Sequence, residues 1–407
     1  MKKLVALALA AVMAFSLAAC GSGNPAGSSA PGGDSGASEA SDAGTTSQAS
    51  QETSAENTEG GAALKIAIVS SPSGVDDGSF NQDNYNGILK FIEENPDSTV
   101  TPVREETGDT SAAIQAVADI VADYDVIVCC GFQFAGIGTL AQDNPDTKFV
   151  LIDSWPNDAE GVELAEDKAL SNVYAAKYAE QESGFYAGMA AALSTSSGKV
   201  AVVNGIAYPS NVNYQYGFES GVKYVNETEG RNVEVVELPS YAGEDVTGAN
   251  VGGNYVNSFS DEATGKVVGN ALISEGVDII FVAAGGSGNG VFTAAKEAQG
   301  VKVIGCDVDQ YDDGANGDSN VVLTSGLKVM HDTVYNVLNT VKDGSFKGAN
   351  VTLMADTGST GYVSEEGRCQ LTAEAIEKIN AAQAKLEAGE IVPAANFNGI
   401  TPETFTW

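Results

Sequence analysis

The sequence predicts an α/β protein of two doubly wound, Rossmann-like lobes joined by a hinge. Three observations carry this. From Leu64 onward, apolar runs of four to eight residues alternate with stretches of helical periodicity. After five strands the alternation starts again. The segments that follow the strands are rich in Gly, Asp, Asn and Phe. Continuous Val/Ile strands between helices mark parallel sheets covered on both faces. In such sheets ligands sit outside the carboxyl ends of the strands.

The first series predicts strands at Leu64–Ser70, Thr99–Thr107, Asp125–Cys130, Lys148–Ile152 and Asn172–Ala175, with helices near Asn84–Glu94, Thr110–Ala122 and Gly136–Asp143. The second predicts strands at Lys199–Asn204, Val233–Leu238, Val277–Val282 and Val301–Cys306, with helices near Tyr214–Val225, Glu262–Glu275 and Asn289–Gln299. A strand at Val321–Ser325, a helix at Asp332–Val341, a short β-rich piece and a helix near Thr372–Ala388 follow. The expected division is residues 63–178 for lobe 1, with a return segment at about 323–350. Lobe 2 is expected at 179–322, with a C-terminal segment at about 351–407.

The N-terminus reads as a processing and anchoring region. Lys2 and Lys3 precede the apolar Leu4–Leu17, and Leu17-Ala18-Ala19-Cys20 closes it. This resembles the bacterial lipobox, whose cysteine takes a diacylglycerol. Residues 1–19 are thus expected to be a lipoprotein signal and Cys20 the acylated residue. Residues 20–62 are Gly-, Ser- and Ala-rich with six acids and no bases, too poor in apolar surface to fold. Such a tether spans roughly 35 Å. No other stretch reaches the ~18 apolar residues of a membrane span.

Composition narrows the function. The chain has 55 acids against 20 bases, a surface that repels nucleic acid. Its five cysteines lack zinc spacing, and His331 is its one histidine, expected at the surface or as a cap at a helix start. No metal or cofactor is expected, and a Ser-His-Asp triad has little support.

The stretch "GVDDGSFNQ", residues 74–82, follows the first strand. A turn needs its Gly, Asp and Ser, but not Phe80 and Asn81. Phe80 is either a helix-capping core residue or a face for stacking. The motifs "DDGSFNQ", "FVLIDS", "QESGFYAGMAAAL", "NSFSD", "FVAAGGSGNGVFTAAKEA", "VIGCDVDQ" and "VLTSGLK" occur in that order. Together they resemble the basic membrane protein family of purine nucleoside receptors, which are lipid-anchored substrate-binding proteins of ABC importers. The resemblance covers about residues 64–365 and implies the type I periplasmic binding protein fold. It also implies a nucleoside ligand, a membrane permease as partner, and an extracytoplasmic, non-enzymatic role.

The resemblance further implies a site. Phe80 and Phe259 would sandwich the base, and Asp307 would accept the ribose hydroxyls. Lys328 would donate to the same sugar; the other reading of Asp307 and Lys328 is a salt bridge across the hinge, and both could hold at once. Asp153 would face the base edge or cap a loop. Asn81 would bond beside base or sugar. Gly285 and Gly286, in "GGSGNG", would let backbone approach the sugar; the turn lacks a phosphate-loop register. Ser71 stands where the receptor type has an acid, so the ligand preference is expected to differ. A sugar-binding or sensory protein of the same fold and a nucleoside hydrolase are the alternative readings.

Overall fold

The computed structural model describes residues 62–396 and 398–407; the expected signal, Cys20 and all but the last residue of the tether lie outside the described residues. One six-stranded sheet has the spatial order Ala349–Leu353, Val173–Tyr178, Lys148–Ile152, Val126–Cys130, Lys65–Ser70, Thr99–Arg104, all parallel. Alternate residues of each strand feed opposite faces, as the two-residue period requires. Ile66 and Ile68 pack with Ile88 and Phe91 of the Phe80–Glu94 helix and with Met330 and Val334 of the Met330–Lys342 helix. Ala67 and Val69 face the helix Thr110–Ile120 through Ala113 and Val117.

The second sheet runs Thr360–Tyr362, Val322–Lys328, Lys302–Asp307, Ile279–Ala283, Lys199–Asn204, Glu234–Val235, with only the first strand antiparallel. Helices Glu180–Ser194, Pro209–Glu229 and Ala373–Glu387 cover one face; Glu262–Ser274 and Gly288–Glu297 cover the other.

Two expectations are corrected. The return segment is displaced: Val322–Lys328 belongs to the second sheet, while the Met330–Lys342 helix and the Ala349–Leu353 strand belong to the first lobe. The chain therefore passes between lobes after Tyr178, after Lys328 and after Leu353. The reason is geometric. Val322–Lys328 pairs in parallel with Lys302–Asp307, extending the sheet that its own sequence neighbours already form. The second correction is the Glu180–Ser194 helix, absent from the expected elements. It is buried on every side from Glu180 to Ala192, so it carries no one-sided apolar stripe for periodicity to detect.

That helix and Pro209–Glu229 cross at close range through glycines on both. A Cβ at Gly188 would lie 2.1 Å from the Phe218 carbonyl oxygen, and one at Gly221 would lie 2.2 Å from that of Phe185. Only hydrogen atoms fit there, and overpacking such a contact costs about 1–3 kcal/mol or more. The crossing fixes the position of Glu180 and Tyr214 relative to one another.

Candidate functional site

The carboxyl ends of the two sheets face one cleft, with about 540 Å³ of empty space including its open mouth. Among the described residues, three non-glycine residues have φ in the left-handed region: Asp153 (68°), Asn257 (60°) and Asp307 (68°). Asp153 follows the strand Lys148–Ile152, and Asp307 ends its counterpart in the other lobe. Asn257 lies two residues before Phe259. Such backbone is strained and persists where the surroundings over-determine it, often at functional sites. Here it turns a carboxylate from each lobe into the same space.

Lys328 lies between them. It is 1% exposed, and its Nζ is 2.9 Å from both oxygens of Asp153, 3.4 Å from Glu180 Oε1 and 4.0 Å from Asp307 Oδ1. The rings of Phe80, Tyr178 and Tyr214 surround the ammonium at 4.8, 5.6 and 5.6 Å. Burial alone would pull the lysine down, but the three carboxylates outweigh it and hold it above its ordinary value. Burial pushes Glu180 up to about 7 and raises Asp153, in both cases against the pull of Lys328. One ammonium thus serves three buried carboxylates. Lys328 ends its strand and Glu180 opens its helix, so their contact joins two of the passages between lobes.

Asp307 is held by neutral donors. The Tyr214 hydroxyl donates to its Oδ1 at 2.8 Å and the Ser79 hydroxyl to its Oδ2 at 2.7 Å. Asp77 belongs to the scaffold: it accepts from the backbone N–H groups of Ser79, Asn81 and Gln82 and so satisfies the open end of the Phe80–Glu94 helix. Asn81 Nδ2 donates to Asp77 and to Ser71 Oγ. This fixes the amide, and Asn81 Oδ1 is a buried acceptor with no partner among the described residues.

Phe80, Phe132, Tyr208 and Phe259 line the cleft as half-buried rings. Phe132 and Tyr208 meet across the lobes at 5.2 Å between centroids, and Tyr208 and Phe259 at 6.0 Å. The Phe259 ring sits where a Cβ on Gly205 would come within 2.2 Å. Its carbonyl oxygen accepts from Ser73 Oγ at 2.7 Å and from the Ser287 N–H at 3.0 Å.

Of the expected site residues, the cleft gathers Phe80, Asn81, Asp153, Phe259, Gly285, Asp307 and Lys328. Gly286 is not on its surface. It packs behind Phe259, where a Cβ would lie 3.1 Å from the Phe259 carbonyl oxygen. Asp153 pairs with Lys328 beside Asp307. His331 is half-buried, and its Nδ1 lies 2.8 Å from Asp83 Oδ1. Cys129, Cys130, Cys306 and Cys369 are free thiols. Among the described residues no group of three or more His, Cys, Asp or Glu is arranged to hold a metal.

Sequence reasoning missed Glu180, Ser79, Tyr208 and Tyr214 as site residues. One signal was available. Ser210, Asn211 and Tyr214 all line the cleft, and Tyr214 lies four and three residues after the other two, the spacings that share a helix face.

Residues 64–241 and 240–395 match the family described as "ABC transporter substrate-binding protein PnrA-like". The chain is 30% identical over 309 residues to the "ABC transporter nucleoside-binding protein BmpA" of Lactococcus lactis subsp. cremoris, covering 71% of this chain and 78% of that one. It is 28% identical over 342 residues to the "CD4+ T-cell-stimulating antigen" of Listeria monocytogenes, covering 80% and 87%. A solute-binding protein of an ABC transporter system from Aeropyrum pernix shares the fold, with a TM-score of 0.65 at 22% identity over 83% of this chain and 94% of that one.

Proposed function

Because the chain belongs to the PnrA-like family of ABC transporter substrate-binding proteins, we propose that its cleft binds a purine nucleoside and delivers it to a membrane permease. The observation that carries this reading is the make-up of the cleft. Half-buried rings at Phe80, Phe132, Tyr208 and Phe259 adjoin an acceptor-rich interior of Asp153, Asp307 and Asn81 Oδ1. A ligand that fits is flat, rich in hydrogen-bond donors at its rim, and without negative charge. A purine ribonucleoside has these properties. Stacking a base on an aromatic ring contributes about 1–3 kcal/mol. Each oxygen of Asp307 accepts one protein hydroxyl, and a carboxylate has about four acceptor sites, which leaves room for a vicinal diol. In this reading Asp307, Asp153 and Lys328 take the sugar, and Asn81 takes an N–H of the base.

The lobes close on the ligand, and the permease reads the closed form. Closure is a population shift driven by contacts that only the closed state completes. The carboxylates are engaged by Lys328, Ser79 and Tyr214, which suits retention of a ligand better than its cleavage. Calorimetric titration should show guanosine binding at micromolar concentration or below, its 5′-monophosphate at least a hundredfold more weakly, and ribose not at all. The phosphate adds about two negative charges to a cleft where Lys328 is the only lining cation among the described residues. Ribose binding as tight as guanosine would remove the stacking argument, and release of free base on long incubation would replace transport with hydrolysis.

The protein is held at the outer face of the membrane through a lipid on Cys20. This part rests on Leu17-Ala18-Ala19-Cys20 and on the folding-poor segment after it. No helix among the described residues is long and apolar enough to cross a membrane. Cys20→Ser should take up no labelled palmitate and should leave the membrane fraction; labelling equal to that of the unaltered protein would end the anchor reading.

A further inference from the structure

We infer that Ser79 is a positioning residue for the sugar-binding carboxylate Asp307, and that it makes recognition of the ribose diol depend on closure of the lobes. The inference rests on the nucleoside reading above. Ser79 precedes the Phe80–Glu94 helix of the first lobe, whereas Asp307 ends a strand of the second. Its hydroxyl lies 2.7 Å from Asp307 Oδ2 and 3.3 Å from the Cys306 carbonyl oxygen. A hydroxyl has one proton to donate, and the shorter contact to the charged acceptor takes it.

Asp307 is therefore oriented from two sides. Tyr214, in the same lobe as Asp307, is buried and donates to Oδ1. That bond survives any movement of one lobe against the other. The bond to Oδ2 does not, because its donor arrives with the opposite lobe. Three further hydrogen bonds fix where Ser79 arrives. Its backbone N–H donates to Asp77 Oδ1 at 3.1 Å. The neighbouring Gly78 carbonyl oxygen accepts from Gln310 Nε2 at 3.2 Å, and Gln310 Oε1 accepts from the Cys306 N–H at 2.9 Å. The Gly78–Ser79 turn thus docks on the segment that carries Asp307.

The consequence is for selectivity. Without Ser79, Tyr214 and the more distant Lys328 both hold the carboxylate from the Oδ1 side, and Oδ2 is left to water. With Ser79 in place both oxygens are aligned, and their remaining acceptor sites are set for two adjacent hydroxyls. A 2′-deoxy ligand offers one of these and gains less from the alignment.

The test measures guanosine and 2′-deoxyguanosine affinities by calorimetry for the unaltered protein, Ser79→Ala and Ser79→Thr, with melting curves to check that each is folded. Ser79→Ala should lose at least tenfold in guanosine affinity and should bring the ratio of the two affinities close to one. Ser79→Thr, which keeps the hydroxyl, should restore both. A ratio unchanged in Ser79→Ala, or a threonine variant no better than alanine, overturns the positioning role. Failure of the unaltered protein to bind any nucleoside instead overturns the reading on which the inference rests.

Discussion

Replacing Lys328 with methionine is expected to cost about 3–5 kcal/mol of folding stability, the usual effect of removing one partner from a buried charge pair, and to abolish nucleoside binding. Methionine keeps most of the stem, so little packing is lost. The loss is electrostatic. Asp153 lies 2.9 Å from the ammonium through both oxygens, Glu180 lies at 3.4 Å, and both are buried. Without Lys328 these carboxylates have no cation, and they protonate to fold.

The pH dependence follows with a definite sign. Burial holds Glu180 at about 7 in the folded protein, above its ordinary 4.5. A carboxyl raised in this way binds its proton more tightly when folded. Its contribution to stability is present below the unfolded value and is lost as pH rises through the folded one. The unaltered protein should therefore lose part of its stability between pH 4.5 and about 7. In the methionine variant Asp153 and Glu180 are raised further, because the charge that lowers them is gone. Its loss should be steeper and should extend to higher pH. Urea unfolding at several pH values measures both effects. A variant with the midpoint and pH profile of the unaltered protein would mean that Lys328 does not compensate these carboxylates.

Asp307→Ala is expected to lower guanosine affinity by two to four orders of magnitude while leaving the fold intact. Two hydrogen bonds from the diol to a charged acceptor are worth roughly 1.5–3 kcal/mol each. Stability should change little, because Lys328 keeps Asp153 and Glu180 and the buried negative charge falls by one. The hydroxyls of Ser79 and Tyr214 lose their acceptor, which is the main structural cost. Phe259→Ala should lose less, about tenfold to a hundredfold, as befits a stacking contribution of roughly 1–3 kcal/mol. Calorimetry separates the two, and undiminished affinity in both variants would put the ligand somewhere other than this cleft.

Much of this was legible in the chain. The repeated alternation of apolar runs and helical periods, read from Leu64 onward, specified two parallel sheets because strand and helix patterns are local. The rule that ligands gather at strand carboxyl ends singled out the segments around Phe80, Asp153, Gly285 and Asp307, and all four residues line the cleft. The roles that needed three dimensions were the ones missed. Glu180 begins a helix with no polar face, so nothing in its periodicity marks it as special. Ser79 reads as an ordinary turn serine until the second lobe brings Asp307 to it across 228 positions of sequence. The partner of Lys328 is Asp153, 175 positions away; its place at a strand end was legible, but the pairing of the two was not. The sequence by itself determined most of the elements, the predominantly parallel pairing and the ends of the sheets where polar residues collect, because apolar periodicity and turn chemistry act over a few residues; the fully buried Glu180–Ser194 helix and the antiparallel Thr360–Tyr362 strand escaped it. Only the tertiary structure decided which lobe holds Val322–Lys328 and which carboxylates share one ammonium. Those outcomes depend on which strands pair and how closely glycine-lined helices approach, and each is settled by contacts between residues that the chain keeps far apart.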